Sequence, residues 1–227
     1  MNKIRKENNI LQEDDPVKQG YCTKEIPDFL KNCVKANVNI IVGGRAGAGK
    51  TEFIKYLCQF IPKEDIASID ENVSALSQLY NIMSFHPRMF AIDTCNSRVN
   101  AKYFAQCLSH GLAGITTFQA NDATNILDEI WKDAEMDCEE KCKAVYQSDE
   151  VYLLFTVGIL IRREMRDDCT IRTINQVVLF KCEKDKNTKT VIVENGKQIS
   201  DQIPENLMKK FERAGIADPF VFTNEKS

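Results

Sequence analysis

The residues best suited to chemistry stand together between positions 44 and 51. Gly44, Arg45, Ala46, Gly47, Ala48, Gly49, Lys50 and Thr51 follow the spacing Gly-x-x-x-x-Gly-Lys-Thr, after the apolar run VNIIV and before the amphipathic EFIKYLCQF. Phosphate recognition accounts for each residue type. Glycines let backbone N–H groups close around phosphate oxygens that a Cβ would hold off. A helix opening near Lys50 adds unpaired N–H groups and the positive end of its dipole. The Lys50 ammonium can then reach the β- and γ-phosphates, and the Thr51 hydroxyl can sit on Mg²⁺. The bland alternative is a glycine-rich strand-to-helix turn with a chance lysine, and the agreement of spacing with context disfavours it. The spacing implies a nucleoside triphosphate ligand, ATP, with Mg²⁺ as cofactor; no guanine-reading Asn-Lys-x-Asp stretch is evident.

Such a loop works only if a buried strand and a helix hold it, and the surrounding pattern supplies them. TKEIPDFLKNCVKAN spaces apolar residues at helical intervals over Thr23 to Asn37. Strand and helix then alternate: strand Val38–Val42, helix Thr51–Phe60, strand Ile66–Ile69, helix Ser74–Met83, strand Met89–Asp93, helix Ser97–His110 stopping at Gly111, and strand Gly114–Gln119. That alternation predicts an α/β fold, with a mostly parallel sheet and helices on both faces. A long charged helix is expected from Asp122 to about Gln147, with Ile126, Leu127, Ile130, Trp131 and Met136 as core or subunit-contact positions. VYLLFTVGILIRREM, TIRTINQVVLFKC and KTVIVEN then read as an antiparallel ribbon region over 150–200, with turns at RDDC and KDKN. IPENLMKKFERAGI closes the chain as a helix over 203–215 with Gly215 as its stop. Residues 1–22 are polar and aperiodic, a disordered tail or linker stub, which leaves 23–227 as one domain.

Bulk properties narrow the function classes. The formal charge of −3 over 227 residues, with no polybasic block, gives no indication of nucleic-acid binding. No apolar run approaches the roughly 20 residues that span a bilayer, and the start lacks a signal-peptide core, so the chain reads as cytosolic. Nine cysteines are an odd number scattered through strands and helices, which suits reduced, buried side chains better than a disulfide framework. Cys138 and Cys142 share a helix face, but a zinc site there would want further ligands.

With the loop and its elements placed, the chain resembles the motor domain of the type II/IV secretion traffic ATPases, particularly the CpaF-like branch of tight-adherence pilus and conjugation machines. LKNCVKANVNIIVGGRAGAGKTEFIKYL is similar to that family's helix, strand and Walker A; IASIDENVSAL to its acidic box; HPRMFAIDTCNSR to its Walker B region. AKYFAQCLSHGLAGITTFQANDATNILDEI resembles its His-box segment, GILIRREMRDDCTIRTINQVV its arginine-bearing ribbon, and IPENLMKKFERAGI its last helix. The resemblance implies a RecA-like core, a homo-oligomeric hexameric ring with ATP sites between subunits, and membrane-embedded secretion or pilus platform proteins as partners. It places the protein in the cytoplasm, peripheral at the inner face of the membrane. It also implies that an N-terminal domain usual in the family is missing from this chain.

The chain departs from the family pattern at the catalytic elements. Asp70 and Glu71 occupy the acidic box, but its further acidic position reads Ser74 or Ala75. Around Asp93 the sequence reads Ile-Asp-Thr-Cys where the family has Gly-Glu, and Gln119 stands in for the family's histidine. By resemblance Glu71 is the water-activating base, Asp70 a metal-side acid, and Asp93 a support for Mg²⁺; the alternatives are a solvated loop acid and a strand-end turn acid. Gln119 can donate to a γ-phosphate or position water but cannot become a cation. Arg88, Arg98, Arg162 and Arg163 are candidates to stabilise γ-phosphate charge, against the commoner role of surface cations. His110 reads as a helix-end cap. Two functions follow: an ATP-hydrolysing motor, or a degenerate nucleotide-binding subunit that scaffolds a true motor. A small-molecule kinase is disfavoured, because an antiparallel ribbon stands where such enzymes carry an arginine-rich lid.

Overall fold

A computed structural model describes residues 21–68, 84, 87–92, 107–108, 110–135, 152–166, 169–183 and 186–223. Its frame is one sheet of eight strands. β1 (Ile40–Gly43), β2 (Ile66–Ser68), β3 (Met89–Ile92), β4 (Ala113–Phe118) and β5 (Val157–Arg166) are parallel, in the spatial order β2-β3-β4-β1-β5. β6 (Cys169–Glu183), β7 (Lys186–Glu194) and β8 (Lys197–Gln198) continue it antiparallel. Four described helices flank the sheet: α1 (Glu25–Lys35), α2 (Lys50–Cys58), α3 (Ile126–Glu135) and α4 (Glu205–Arg213).

Burial on both faces explains why β1 is apolar without alternation. Ile40 and Val42 enter a core with Phe29 and Leu30 of α1, Phe53 and Leu57 of α2, and Leu207 and Phe211 of α4. Ile41 enters the opposite core with Phe90, Phe118, Ile126, Leu127, Tyr152 and Phe180. Each fully buried side chain of this size stabilises the fold by roughly 2–3 kcal/mol. Phe29 joins α1 to the chain's end, meeting the Phe211 ring edge-on at 5.9 Å and stacking on Phe220 at 5.2 Å. Buried Asn32 ties that segment down, its Nδ2 donating to the carbonyls of Pro219 (2.9 Å) and Val221 (3.0 Å).

The observed elements differ from expectation in instructive places. Val38 does not start β1, because its N–H bonds the Cys33 carbonyl at 2.9 Å and closes the end of α1 around Asn37, whose φ is 54°. Gly215 does stop α4: at φ 71° it turns the chain so that Ile216 N–H bonds the Phe211 carbonyl at 2.9 Å. Residues 152–154 form a helical turn rather than strand, with Tyr152 and Phe155 buried in the second core. A short 3-10 turn over Ala123–Asn125 precedes α3, its entry fixed by the Asp122 carboxylate accepting from Thr124 N–H at 2.8 Å. The ribbon is not a separate sheet. β5 pairs with β1 on one side and β6 on the other, so the parallel and antiparallel halves share a strand. The helix expected at Ser74–Met83 lies outside the described residues. Of the one expected at Ser97–His110, Cys107 and Leu108 are described and helical. Among the described cysteines, burial raises the pKa of the Cys58 thiol to about 12 and that of Cys107 to about 11.

Candidate phosphate-binding site

β1 delivers the chain to the edge of the sheet where the parallel strands end, the usual position of ligand sites in α/β folds. The loop then turns through Gly47 (φ 72°) and Gly49 (φ 93°), left-handed conformations that side chains resist. Gly49 is the N-cap of α2 and gives no side-chain cap, and a helix start of this kind presents backbone N–H groups and the positive end of its dipole to an anion. Lys50 folds back across the loop, donating to the carbonyls of Gly44 (2.8 Å) and Arg45 (3.1 Å). Its ammonium therefore sits at the mouth of the turn. Ala48 is buried beneath it, Thr51 is half-buried one residue into α2, and Arg45, Ala46 and Gly47 form the exposed rim.

A phosphate fits this geometry. The cradle is one that side chains would fill: a Cβ on Gly44 would meet the Ile161 carbonyl oxygen at 2.7 Å. Thr51 presents the hydroxyl that suits Mg²⁺. Among the described residues no group of three His, Cys, Asp or Glu could hold a metal, but a loop-bound Mg²⁺ takes oxygen from threonine, phosphate and water and needs no such cluster.

Two elements wall the loop. On one side Phe118, the last residue of β4, pairs with Gly43, so exposed Gln119 emerges next to the turn. Two residues on, the Asn121 side-chain oxygen accepts from Arg45 Nε at 2.8 Å and ties the loop's rim to the β4 exit. On the other side β5 continues past the sheet edge beyond a bulge at Leu160/Ile161. Between these walls opens a cleft of about 470 Å³, lined by Arg45, Asn121, Arg162, Arg163 and Glu164 among others.

The candidate arginines divide by position. Arg162 and Arg163 are exposed on β5, and a Cβ on Gly47 would meet Arg163 Nη1 at 3.0 Å. Arg88 lies elsewhere. It precedes β3 at the opposite edge of the parallel strands, donating to the Asn37 side-chain oxygen (2.6 Å) and to the Lys35 carbonyl, so within its own chain it caps α1 rather than facing phosphate. Asp70, Glu71, Asp93 and Arg98 lie outside the described residues, as do Met136, Cys138 and Cys142.

One cation absent from the sequence expectations joins the site. Arg172 of β6 is paired directly with Arg163, and a Cβ on Gly49 would meet its Cδ at 3.1 Å and its Nε at 3.2 Å. Its position was legible in principle. Arg163 and Arg172 are symmetric about the RDDC turn, so a hairpin closing there brings them opposite each other.

Solved structures share this fold. The VirB11 ATPase of the Brucella suis type IV secretion system, solved in complex with sulphate, superposes with a TM-score of 0.57 at 19% identity, over 79% of this chain and 57% of that one. The fold is RecA-like. The ATPase DotB of Legionella pneumophila aligns with a TM-score of 0.52 at 10% identity, over 68% of this chain and 49% of its own. DotB of Yersinia pseudotuberculosis gives 0.51 at 9% identity, over 70% and 47% respectively. This chain thus spans about half the length of these structures. No family model and no curated protein matches the sequence. Among the described residues no helix is long and apolar enough to cross a membrane.

Proposed function

We propose that the chain is the motor core of an ATPase serving a type II/IV secretion, pilus-assembly or conjugation system. It acts in the cytoplasm as a homo-oligomeric ring docked on membrane-embedded platform proteins. The observation that supports this most strongly is the loop itself: a Gly-x-x-x-x-Gly-Lys-Thr turn at the parallel edge of a RecA-like sheet, its lysine held across the mouth and its helix without a side-chain cap. In this proposal the amides of residues 44–51 bind the α- and β-phosphates, and Lys50 moves from the loop carbonyls to the β- and γ-phosphates. Thr51, with Asp93 in support, would hold Mg²⁺, which would supply positive charge against the phosphoryl oxygens. Gln119 orients the attacking water, and Glu71, with Asp70 beside it, polarises it. Arg162 bears on the γ-phosphate from the cleft, and closure between subunits converts its presence or loss into movement.

The test is ATP turnover measured against protein concentration, with Lys50→Ala as the control. Lys50→Ala should lower ATP affinity by about a hundredfold, a loss consistent with removing charge-assisted contacts to phosphate. Tight ATP binding by that variant would sink the loop assignment. Turnover rising more steeply than linearly with concentration supports sites completed between subunits. Binding without turnover at any concentration favours the degenerate scaffold subunit, a reading motivated by Thr94-Cys95 in place of Gly-Glu.

A further inference from the structure

We infer that Arg163 and Arg172 form a clamp, supplied by the ribbon of the same chain, that closes on the α- and β-phosphates at the Gly47–Gly49 side of the loop. The clamp rests on the phosphate-loop proposal and assigns a role that the loop and the cleft leave open. Three observations carry it.

First, the two arginines are direct cross-strand partners and so share one face of the ribbon. Like charges in that register repel, and a shared anion relieves the repulsion. Second, both reach the same turn: Arg163 lies beside Gly47 and Arg172 beside Gly49, at the approaches of 3.0 and 3.1 Å that a Cβ would make to them. Third, Arg172 Nε is buried and has no hydrogen-bond partner among the described residues, although a guanidinium N–H shut away from water normally finds an acceptor. A phosphate group answers all three, because it neutralises the pair and accepts from two planar forks at once.

The ribbon's geometry is built for this aim. Leu160 pairs with Gln176 but Ile161 pairs with Ile174, so Asn175 is an extra residue that resets which face of β6 looks at the loop. Asn175 is held there, its carbonyl accepting from Gly196 N–H at 3.3 Å and its Nδ2 donating to the Asn195 side chain at 3.2 Å. Beyond this bulge Arg172 shares a face of β6 with Ile174 and lies beside Gly49 of the loop. Occupancy of the loop by phosphate is thereby sensed by the ribbon.

Because the clamp acts on phosphates common to ATP and ADP, it differs from a γ-phosphate sensor in what it responds to. The experiment measures binding of inorganic pyrophosphate, ADP and a non-hydrolysable ATP analogue to the full chain, for wild type, Arg172→Gln, Arg172→Lys, Arg163→Gln and Lys50→Ala. Arg172→Gln should weaken all three ligands by about tenfold at an unchanged melting temperature, a loss typical of a charge-assisted bond. Arg172→Lys, which keeps the charge but not the fork, should recover part of that loss. Hydrogen exchange of the 161–174 amides should slow on adding pyrophosphate to wild type and stay unchanged in Arg172→Gln. Wild-type affinity in Arg172→Gln alongside lost binding in Lys50→Ala would overturn the clamp and leave the loop proposal standing. Weakening confined to the ATP analogue would overturn it too, by assigning the arginines to the γ-phosphate. Unchanged binding in Lys50→Ala would bring down the loop proposal itself. Should Arg172→Gln fail to fold, Arg172→Lys and the exchange measurement on wild type decide the matter.

Discussion

In the proposed site the loop at residues 44–51 would offer phosphate its backbone, whereas the ribbon facing it would offer side chains. In the loop, function follows from local conformation: glycines at positive φ turn N–H groups inward, and one lysine, five residues from the nearer carbonyl it bonds, stays with the turn. In the ribbon, function follows from register, since Arg163 and Arg172 meet only because β5 and β6 pair with one particular offset past a bulge. A backbone site is robust to changes around it but intolerant of a single Cβ. A side-chain site tolerates substitution of its neighbours, yet one inserted or deleted residue redirects it.

That contrast can be broken from the loop side first. Gly49→Ala forces a side chain into φ 93° against Arg172, and ADP affinity measured by titration calorimetry should fall by about a hundredfold while the melting temperature moves little. Near-wild-type affinity would mean that the amides do not form the site. Deletion of Asn175 attacks the ribbon. Removing the bulge residue turns Arg172 to the opposite face, and pyrophosphate affinity should drop by about tenfold, matching Arg172→Gln, with circular dichroism unchanged. Retained affinity would mean that register does not aim the clamp.

The smallest effect lies outside both regions and calibrates them. Burial pushes the Lys210 ammonium below its usual range, where α4 packs near Cys33. Its cost is therefore present at neutral pH. As pH rises through the lowered folded value toward the unfolded one near 10.4, the folded state sheds its proton before the unfolded state does, and stability increases. Lys210→Met should gain a few tenths of a kcal/mol at pH 7 after allowance for solvent screening, and lose that alkaline rise, with nucleotide affinity unchanged. Denaturant titrations at pH 7 and pH 10 read both.

Much of the scaffold was legible because its signals are local. The apolar run before Gly44, the helical spacing of Phe29, Leu30, Cys33 and Val34, and Gly215 after α4 each state their structure within a few residues. Val38 was lost from β1 to the end of α1 by a local bond to Cys33 that the apolar run concealed, whereas residues 152–154 became a helical turn because distant residues of the second core receive Tyr152 and Phe155. Arg88 and Arg172 had no local mark to separate them, since both are single arginines beside strand residues. Packing sent one to the far edge, onto α1, and the other to the phosphate loop.

The amino-acid sequence by itself determined the glycine loop at residues 44–51, because a positive-φ turn, a helix start with no side-chain cap and a lysine inside it depend only on residues adjacent in the chain. Which side chains face that loop was decided by the tertiary structure alone. Sheet order brings β5 against β1, and a bulge of one residue sets the face that β6 presents, so the cationic wall exists only once strands far apart in sequence have paired.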